Sequence, residues 1–307
     1  MNRTKNLFGI LITLIFVFSL YLLFSNYNGV LDNIKALIKD IRGNEVIIPS
    51  ETYYAKNYKF ETVNVTKNFE PTNIDDIKDI YYTVLNNGWE SFTFYCDDEI
   101  YPTCIDDVKS VANDDEYLSI INNYVSPYNS YKKYNTLVIG NDEIYLTVEK
   151  LYSDEEIREV EGKISSIIHR MNVNVTNVTV DDIKNIHNHL IKNITYDDNF
   201  DEENTTSISN KASGALNNGI ALCSGYTDTF ALILDKLNIP NFKVSSENHI
   251  WNLIYFDNKW SHVDLTWDDD EINESNTYNF FMIDTAKLKK LDSSEHTFNE
   301  SLYLEIK

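Results

Sequence analysis

The sequence predicts an α+β protein held behind an N-terminal membrane anchor, and three observations lead there. Apolar residues recur at helical spacing through several charged stretches. Between them lie β-branched and aromatic runs bounded by Asn, Asp and Gly. An uncharged apolar run, Leu7 to Phe24, stands by itself near the N-terminus. Composition agrees with packed cores. The 307 residues allow two modest domains, and 43% hydrophobic with 13% aromatic residues is ample material to bury. Only 3 Cys exclude a disulfide-stapled mini-protein, while 9 Gly and 5 Pro exclude collagen-like or low-complexity classes. A net charge of −22, from 48 acidic and 26 basic side chains, repels a phosphate backbone and excludes nucleic acid as a partner.

The anchor comes first in the chain. At about 1.5 Å per residue, the run from Leu7 to Phe24 nearly matches the ~30 Å hydrocarbon core of a bilayer. Arg3 and Lys5 precede it and Ser25 to Val30 are uncharged, so the positive-inside bias leaves residues 1–6 in the cytosol and the rest outside. The run ends in Tyr21-Leu22-Leu23-Phe24 rather than in small residues, which favours an uncleaved single-pass anchor over a signal peptide. The expected location is therefore the cell membrane, with the C-terminal domains extracellular. A stalk, 25–50, follows, with Leu31, Ile34, Leu37, Ile38 and Ile41 at helical spacing.

An N-terminal α+β domain is expected over 51–175. Its strands are Lys59 to Val65, Glu90 to Cys96, and a hairpin over Thr136 to Tyr152 turning at Gly140-Asn141-Asp142. One helix covers Asp75 to Leu85. A second opens on the capping box Ser153-x-x-Glu156 and lines up Ile157, Val160, Ile164, Ile167, Ile168 and Met171. Cys96 and Cys104, eight apart, either form a disulfide in an oxidising compartment or remain two buried thiols. The polar stretch Asn172 to Thr179 lacks helical periodicity and marks the boundary with a second domain, 176–307. That domain opens on a helix, Val180 to Asn193, whose His187 and His189 point about 200° apart, cannot share an ion, and read as surface and flank histidines. Asp268, Asp269, Asp270 and Glu271 could ligate a hard cation, but no EF-hand spacing or turn glycine accompanies them. They read as a solvated acidic loop, and no metal site is expected.

Two stretches carry chemistry. In Asn218 to Ile239 a loop runs into a helix striped with Tyr226, Phe230, Ile233, Leu234 and Leu237, and Cys223 falls at its N-terminus. There the helix dipole and unpaired amides favour an anion, and the thiolate is the nucleophilic form of cysteine. In Asn248 to Asp269 two aromatic and β-branched runs flank Asp257-Asn258, a two-residue hairpin signal. With that turn, facing residues have numbers summing to 515, so Trp251 opposes Asp264 and His249 lies diagonally beside it. His262 opposes Leu253 nearer the turn and is the weaker base candidate. Cys223, His249 and Asp264 thus form a nucleophile, its base and the base's orienter.

The segments Cys223-Ser224-Gly225-Tyr226, His249-Ile250-Trp251-Asn252 and Lys259-Trp260-Ser261-His262-Val263-Asp264-Leu265-Thr266-Trp267 resemble, in order, the core motifs of the transglutaminase-like superfamily, within the wider papain-like thiol fold. Stretches around Tyr196 and Gly214 resemble it too, so the likeness spans roughly Val180 to Tyr303. The resemblance implies a nucleophile-bearing helix packed on an antiparallel sheet, and acyl transfer at an amide carbonyl of a protein or peptide, a cell-envelope one included. Transglutaminase, deamidase and cysteine-peptidase activities all fit, as does an inactive cell-surface binding module, because the acceptor is set by pocket geometry that motifs do not encode. No cofactor is implied. Trp251, Trp260 and Tyr226 are the expected substrate-binding residues; Asn217 and Asn218 stand near Cys223 as oxyanion-hole candidates. Leu265 departs from a frequent Pro in the family, and Ser224 from a larger polar residue; neither removes a triad member.

Overall fold

The computed structural model describes residues 70–200, 208–269, 279–292 and 294–303. The anchor, the stalk and the strand expected over Lys59 to Val65 lie outside them. Among the described residues no helix is long and apolar enough to cross a membrane. Those from Pro71 onward belong to one compact unit.

The first helix, α1 (Ile74–Asn86), begins where the Asn73 side chain accepts from the amides of Asp75 and Asp76. Strand β1 (Ser91–Tyr95) follows, then α2 (Cys104–Ala112) and α3 (Asp115–Tyr124). Cys96 and Cys104 form a disulfide with Cα atoms 5.6 Å apart, tying the end of β1 to the start of α2. Strands β2 (Tyr131–Ile139) and β3 (Glu143–Lys150) make the expected hairpin. Gly140, at φ +63°, supplies the left-handed turn residue. The sheet order is β1-β3-β2.

Helix α4 (Asp154–Arg170) carries the expected capping box, with Ser153 and Glu156 each bonding the other's backbone amide. Helix α5 (Val180–Asn193) has a second one, Thr179 with Asp182. The turn segment between these helices is the stretch read from sequence as a domain boundary. The core runs across it: Val160, Ile164 and Ile168 of α4 join Ile183, Ile186 and Leu190 of α5 in one cluster. The apolar stripe of α4 is thus buried by elements that follow it in the chain.

Short strands β4 (Thr195–Tyr196) and β5 (Ile220–Ala221) pair in parallel. They lead into α6 (Cys223–Lys236), which packs Tyr226, Phe230, Ile233 and Leu234 into the same core. The antiparallel meander β6 (Asn241–Ser245), β7 (Ile250–Phe256) and β8 (Lys259–Val263) follows. Its β7–β8 register is the expected one, with Asn252 opposite Val263 and Tyr255 opposite Trp260. Asp257 and Asn258 both take positive φ (50° and 61°), the type I′ geometry that suits the strands' twist. The chain then makes α7 (Leu265–Asp268) and α8 (Thr285–Leu291). The C-terminal segment returns to the meander through Tyr303, which stacks on Phe242 of β6 and Tyr124 of α3.

Candidate active site

Two elements bring the chemistry together. Cys223 opens α6, partly exposed, in the first turn where amide N–H groups have no intrahelical acceptor. Loop 208–211 lies tightly against that turn: the Leu222 amide donates to the Ser209 carbonyl and the Ser224 hydroxyl to Asn210 Oδ1. A Cβ on Gly225 would stand 2.5 Å from the Ser209 carbonyl oxygen, so only glycine permits this approach. That explains the glycine two places after the cysteine. With Cys96 and Cys104 joined, Cys223 is the single free thiol of the 3 cysteines.

His249 stands just before β7, 6% exposed, and Asp264 just after β8, 1% exposed. His249 Nε2 lies 2.5 Å from Asp264 Oδ2, so the diagonal pairing inferred from the hairpin is present. Cys223 raises the His249 pKa through hydrogen bonding and charge, and with Nε2 engaged by Asp264 the ring nitrogen left to serve the sulfur is Nδ1. Asp264 is held in turn as the N-cap of α7, its Oδ1 accepting from the amides of Thr266 and Trp267. Burial pulls the His249 pKa down, but the Asp264 carboxylate and then Cys223 outweigh it and lift it to about 10. Burial alone would raise Asp264, whereas His249 and His296 hold it at about 2.

These shifts have a defined consequence for stability. The folded pKa of His249 exceeds its ordinary 6.5, so its contribution is complete below about pH 6.5 and is lost as pH rises through about 10. Asp264 is depressed from 3.8, so its contribution is complete above that value and is lost as pH falls through about 2. Urea denaturation across pH is expected to show the pair's contribution in full between about pH 4 and 6.5. A His249→Ala variant should lose the decline on the alkaline side.

The other expected residues fall out differently. Trp251 and Tyr226 are both 0% exposed, and such side chains cannot touch a substrate. Trp251 instead stacks on His249, with centroids 5.7 Å apart and planes at 17°, and donates its indole N–H to His262 Nδ1. Tyr226 is a core residue whose hydroxyl donates to Asp269. Trp260 packs on Phe242 and Tyr255. His262 is structural: burial and then the charge of His296 lower it to about 3, so it accepts from Trp251 while Nε2 meets Thr285. Asn217 and Asn218 are exposed, and Asn217 donates to Glu159.

Three further residues stand where the sequence reading did not place them. His187 is buried, not a surface group, and pairs with Asp268 at 3.2 Å, so the acidic stretch is not wholly solvated. The signal was there, since His187 lies on the stripe Ile183, Ile186, Leu190. Tyr196, 40% exposed, lies opposite Ala221, two residues before Cys223, and its pKa is raised by burial and then by the charges of Cys223, Glu295, Asp198 and Asp197. His296 is buried against Asp264, with Nε2 2.9 Å from the Oδ2 that also meets His249.

His249, Asp264 and His296 each offer one metal-capable atom, all within 4.8 Å of one another. Two ligands at ~2 Å from a tetrahedral zinc stand roughly 3.3 Å apart. The contacts here, 2.5 and 2.9 Å, have hydrogen-bond spacing.

No curated protein matches the chain. Among solved structures it is similar to a crystal structure of a TGase, at 15% identity and a TM-score of 0.34, over 54% of this chain and 50% of that one. It is also similar to a structure described as "a Putative Cysteine Protease from Cytophaga hutchinsonii", at 10% identity and a TM-score of 0.28, over 44% of this chain and 61% of that one. The chain thus spans about half of that TGase's length. Residues 166–265 match the model of the transglutaminase-like superfamily, a span that contains Cys223, His249 and Asp264, and the chain therefore carries a transglutaminase-like domain there.

Proposed function

We propose that the protein is an extracytoplasmic thiol enzyme that transfers an acyl group from an amide of a protein or peptide to an amine or to water. The observation that carries this reading is a single free thiol at a helix N-terminus, electrostatically coupled to a histidine whose Nε2 meets a buried carboxylate. In the first step Cys223 Sγ attacks the carbonyl carbon, and His249 gives its Nδ1 proton to the departing nitrogen as the C–N bond breaks. A thioester remains. The acceptor then adds to it, its proton passes to His249, and the C–S bond breaks to restore the thiolate–imidazolium pair. Asp264 keeps Nε2 engaged, so Nδ1 faces the sulfur in both steps.

Two further observations support the location. The disulfide Cys96–Cys104 suits an oxidising compartment, and the apolar run Leu7 to Phe24 precedes the described residues in the chain. A single-pass anchor with residues 25–307 outside the membrane accounts for both.

Alkylation by iodoacetamide at neutral pH tests the thiol chemistry directly. Cys223 is expected to react at least about ten times faster than free cysteine, because its sulfur stands at a helix N-terminus with His249 as its base, and His249→Ala should remove that advantage. A rate equal to that of free cysteine in the folded protein would favour a binding module that keeps the fold without the chemistry.

A further inference from the structure

The triad does not end at Asp264. His296 is 1% exposed and reaches the site from the segment after α8, packed against Trp251, Trp267 and Phe280 at centroid distances of 4.8, 5.1 and 5.1 Å. Its Nε2 lies 2.9 Å from Asp264 Oδ2 and its Nδ1 2.9 Å from Asp292 Oδ2. Both carboxyl groups are already ringed by donors. Asp264 Oδ1 takes the amides of Thr266 and Trp267, and its Oδ2 also takes His249. Asp292 Oδ1 takes the amide and hydroxyl of Ser294, and its Oδ2 takes the amides of Glu295 and His296. A carboxyl group surrounded by donors is held as the carboxylate, which only accepts. Each ring nitrogen of His296 must then carry a proton.

We propose that His296 is a positioning residue: an imidazolium, buried between Asp264 and Asp292, that shares the Asp264 oxygen with His249 and so moderates the pull of Asp264 on the base. This rests on the reading of Cys223, His249 and Asp264 as nucleophile, base and orienter. The groups facing His296 are Asp264 before α7, Asp292 after α8, His249 before β7, and His262 on β8, which burial and then the charge of His296 keep neutral. Its remaining ring contacts are uncharged aromatic faces. A cation at this point favours the Cys223 thiolate and disfavours the His249 imidazolium. Its loss is therefore expected to move formation and breakdown of the thiolate–imidazolium pair to higher pH together.

The test is the rate of iodoacetamide alkylation against pH in the full chain. It reports on Cys223 alone, since the other two cysteines are paired, and it needs no substrate. His296→Gln keeps a donor without the charge and is expected to raise both inflections by ~0.5–1 pH unit. Inflections that stay in place would overturn the proposal. Imidazole ¹⁵N spectra of the wild-type chain provide a second measure that survives a variant's failure to fold. His296 should show two protonated nitrogens at about pH 7, and a neutral ring would equally overturn the proposal. If the inflections shift but no amide or ester is turned over, the acyl-transfer reading fails and the role of His296 in setting the ion pair stands.

Discussion

On the proposed function, Cys223→Ala is expected to abolish turnover of any amide or activated ester that the protein accepts, with His249→Ala falling to nearly the same floor. Cys223 is the sole free thiol, and among the described residues no second nucleophile meets His249. Residues that act as one unit are strongly non-additive, so the double variant should be no worse than either single one, roughly 10³- to 10⁶-fold below wild type. Asp264→Asn separates orientation from charge. The carboxamide oxygen it introduces can still cap α7, but the carboxamide nitrogen would meet His249 Nε2 as a donor, favouring the tautomer whose Nδ1 carries the only proton. A loss of about 10²- to 10⁴-fold in kcat is expected, smaller than for the other two residues. His262→Gln should cost far less, because His262 meets Trp251 and Thr285. Steady-state kinetics on one ester substrate decide among these. If His262→Gln were dead and His249→Ala active, the base would be the other histidine of the hairpin.

Much of this site was legible because its geometry is local. The Asp257-Asn258 turn fixes the β7–β8 register, and a fixed register places His249 beside Asp264 from residue numbers alone. The start of α6 was readable from the loop-to-helix transition, and α4 from its capping box. What was missed arrives from far along the chain. His296 is 32 residues from the Asp264 it bonds, and no spacing rule links a segment after α8 to the end of β8. Trp251 and Tyr226 were expected at the substrate because aromatic residues beside a nucleophile suit that role. Full burial makes them supports of the base and of the core instead. The extent of the core was hidden for a related reason: a break in periodicity at Asn172 to Thr179 reveals a connection, but not whether the helices on either side share a core.

The helix that carries Cys223 is fixed to the meander by charge as well as by apolar contact. Lys243 of β6 and Asp228 of α6, 4% and 3% exposed, meet at 3.1 Å. The Lys243 ammonium also donates to Ser130, and Asp228 Oδ2 accepts from the Tyr152 hydroxyl, which itself accepts from the Ala212 amide. The network therefore joins distant parts of the chain around one turn of α6. Lys243→Met is expected to cost about 3–5 kcal/mol in urea unfolding followed by tryptophan fluorescence, because it leaves the Asp228 carboxylate buried without its cation. Against the ~5–15 kcal/mol of a typical domain, that is a large share. Adding Asp228→Leu should restore much of the loss, since removing both charges removes the uncompensated one. Asp228 lies five residues after Cys223 on the same helix, so the single variant should also slow Cys223 alkylation at temperatures where the protein remains folded. A cost below about 0.5 kcal/mol, the level of an ordinary surface substitution, would mean that apolar packing alone holds α6 in place.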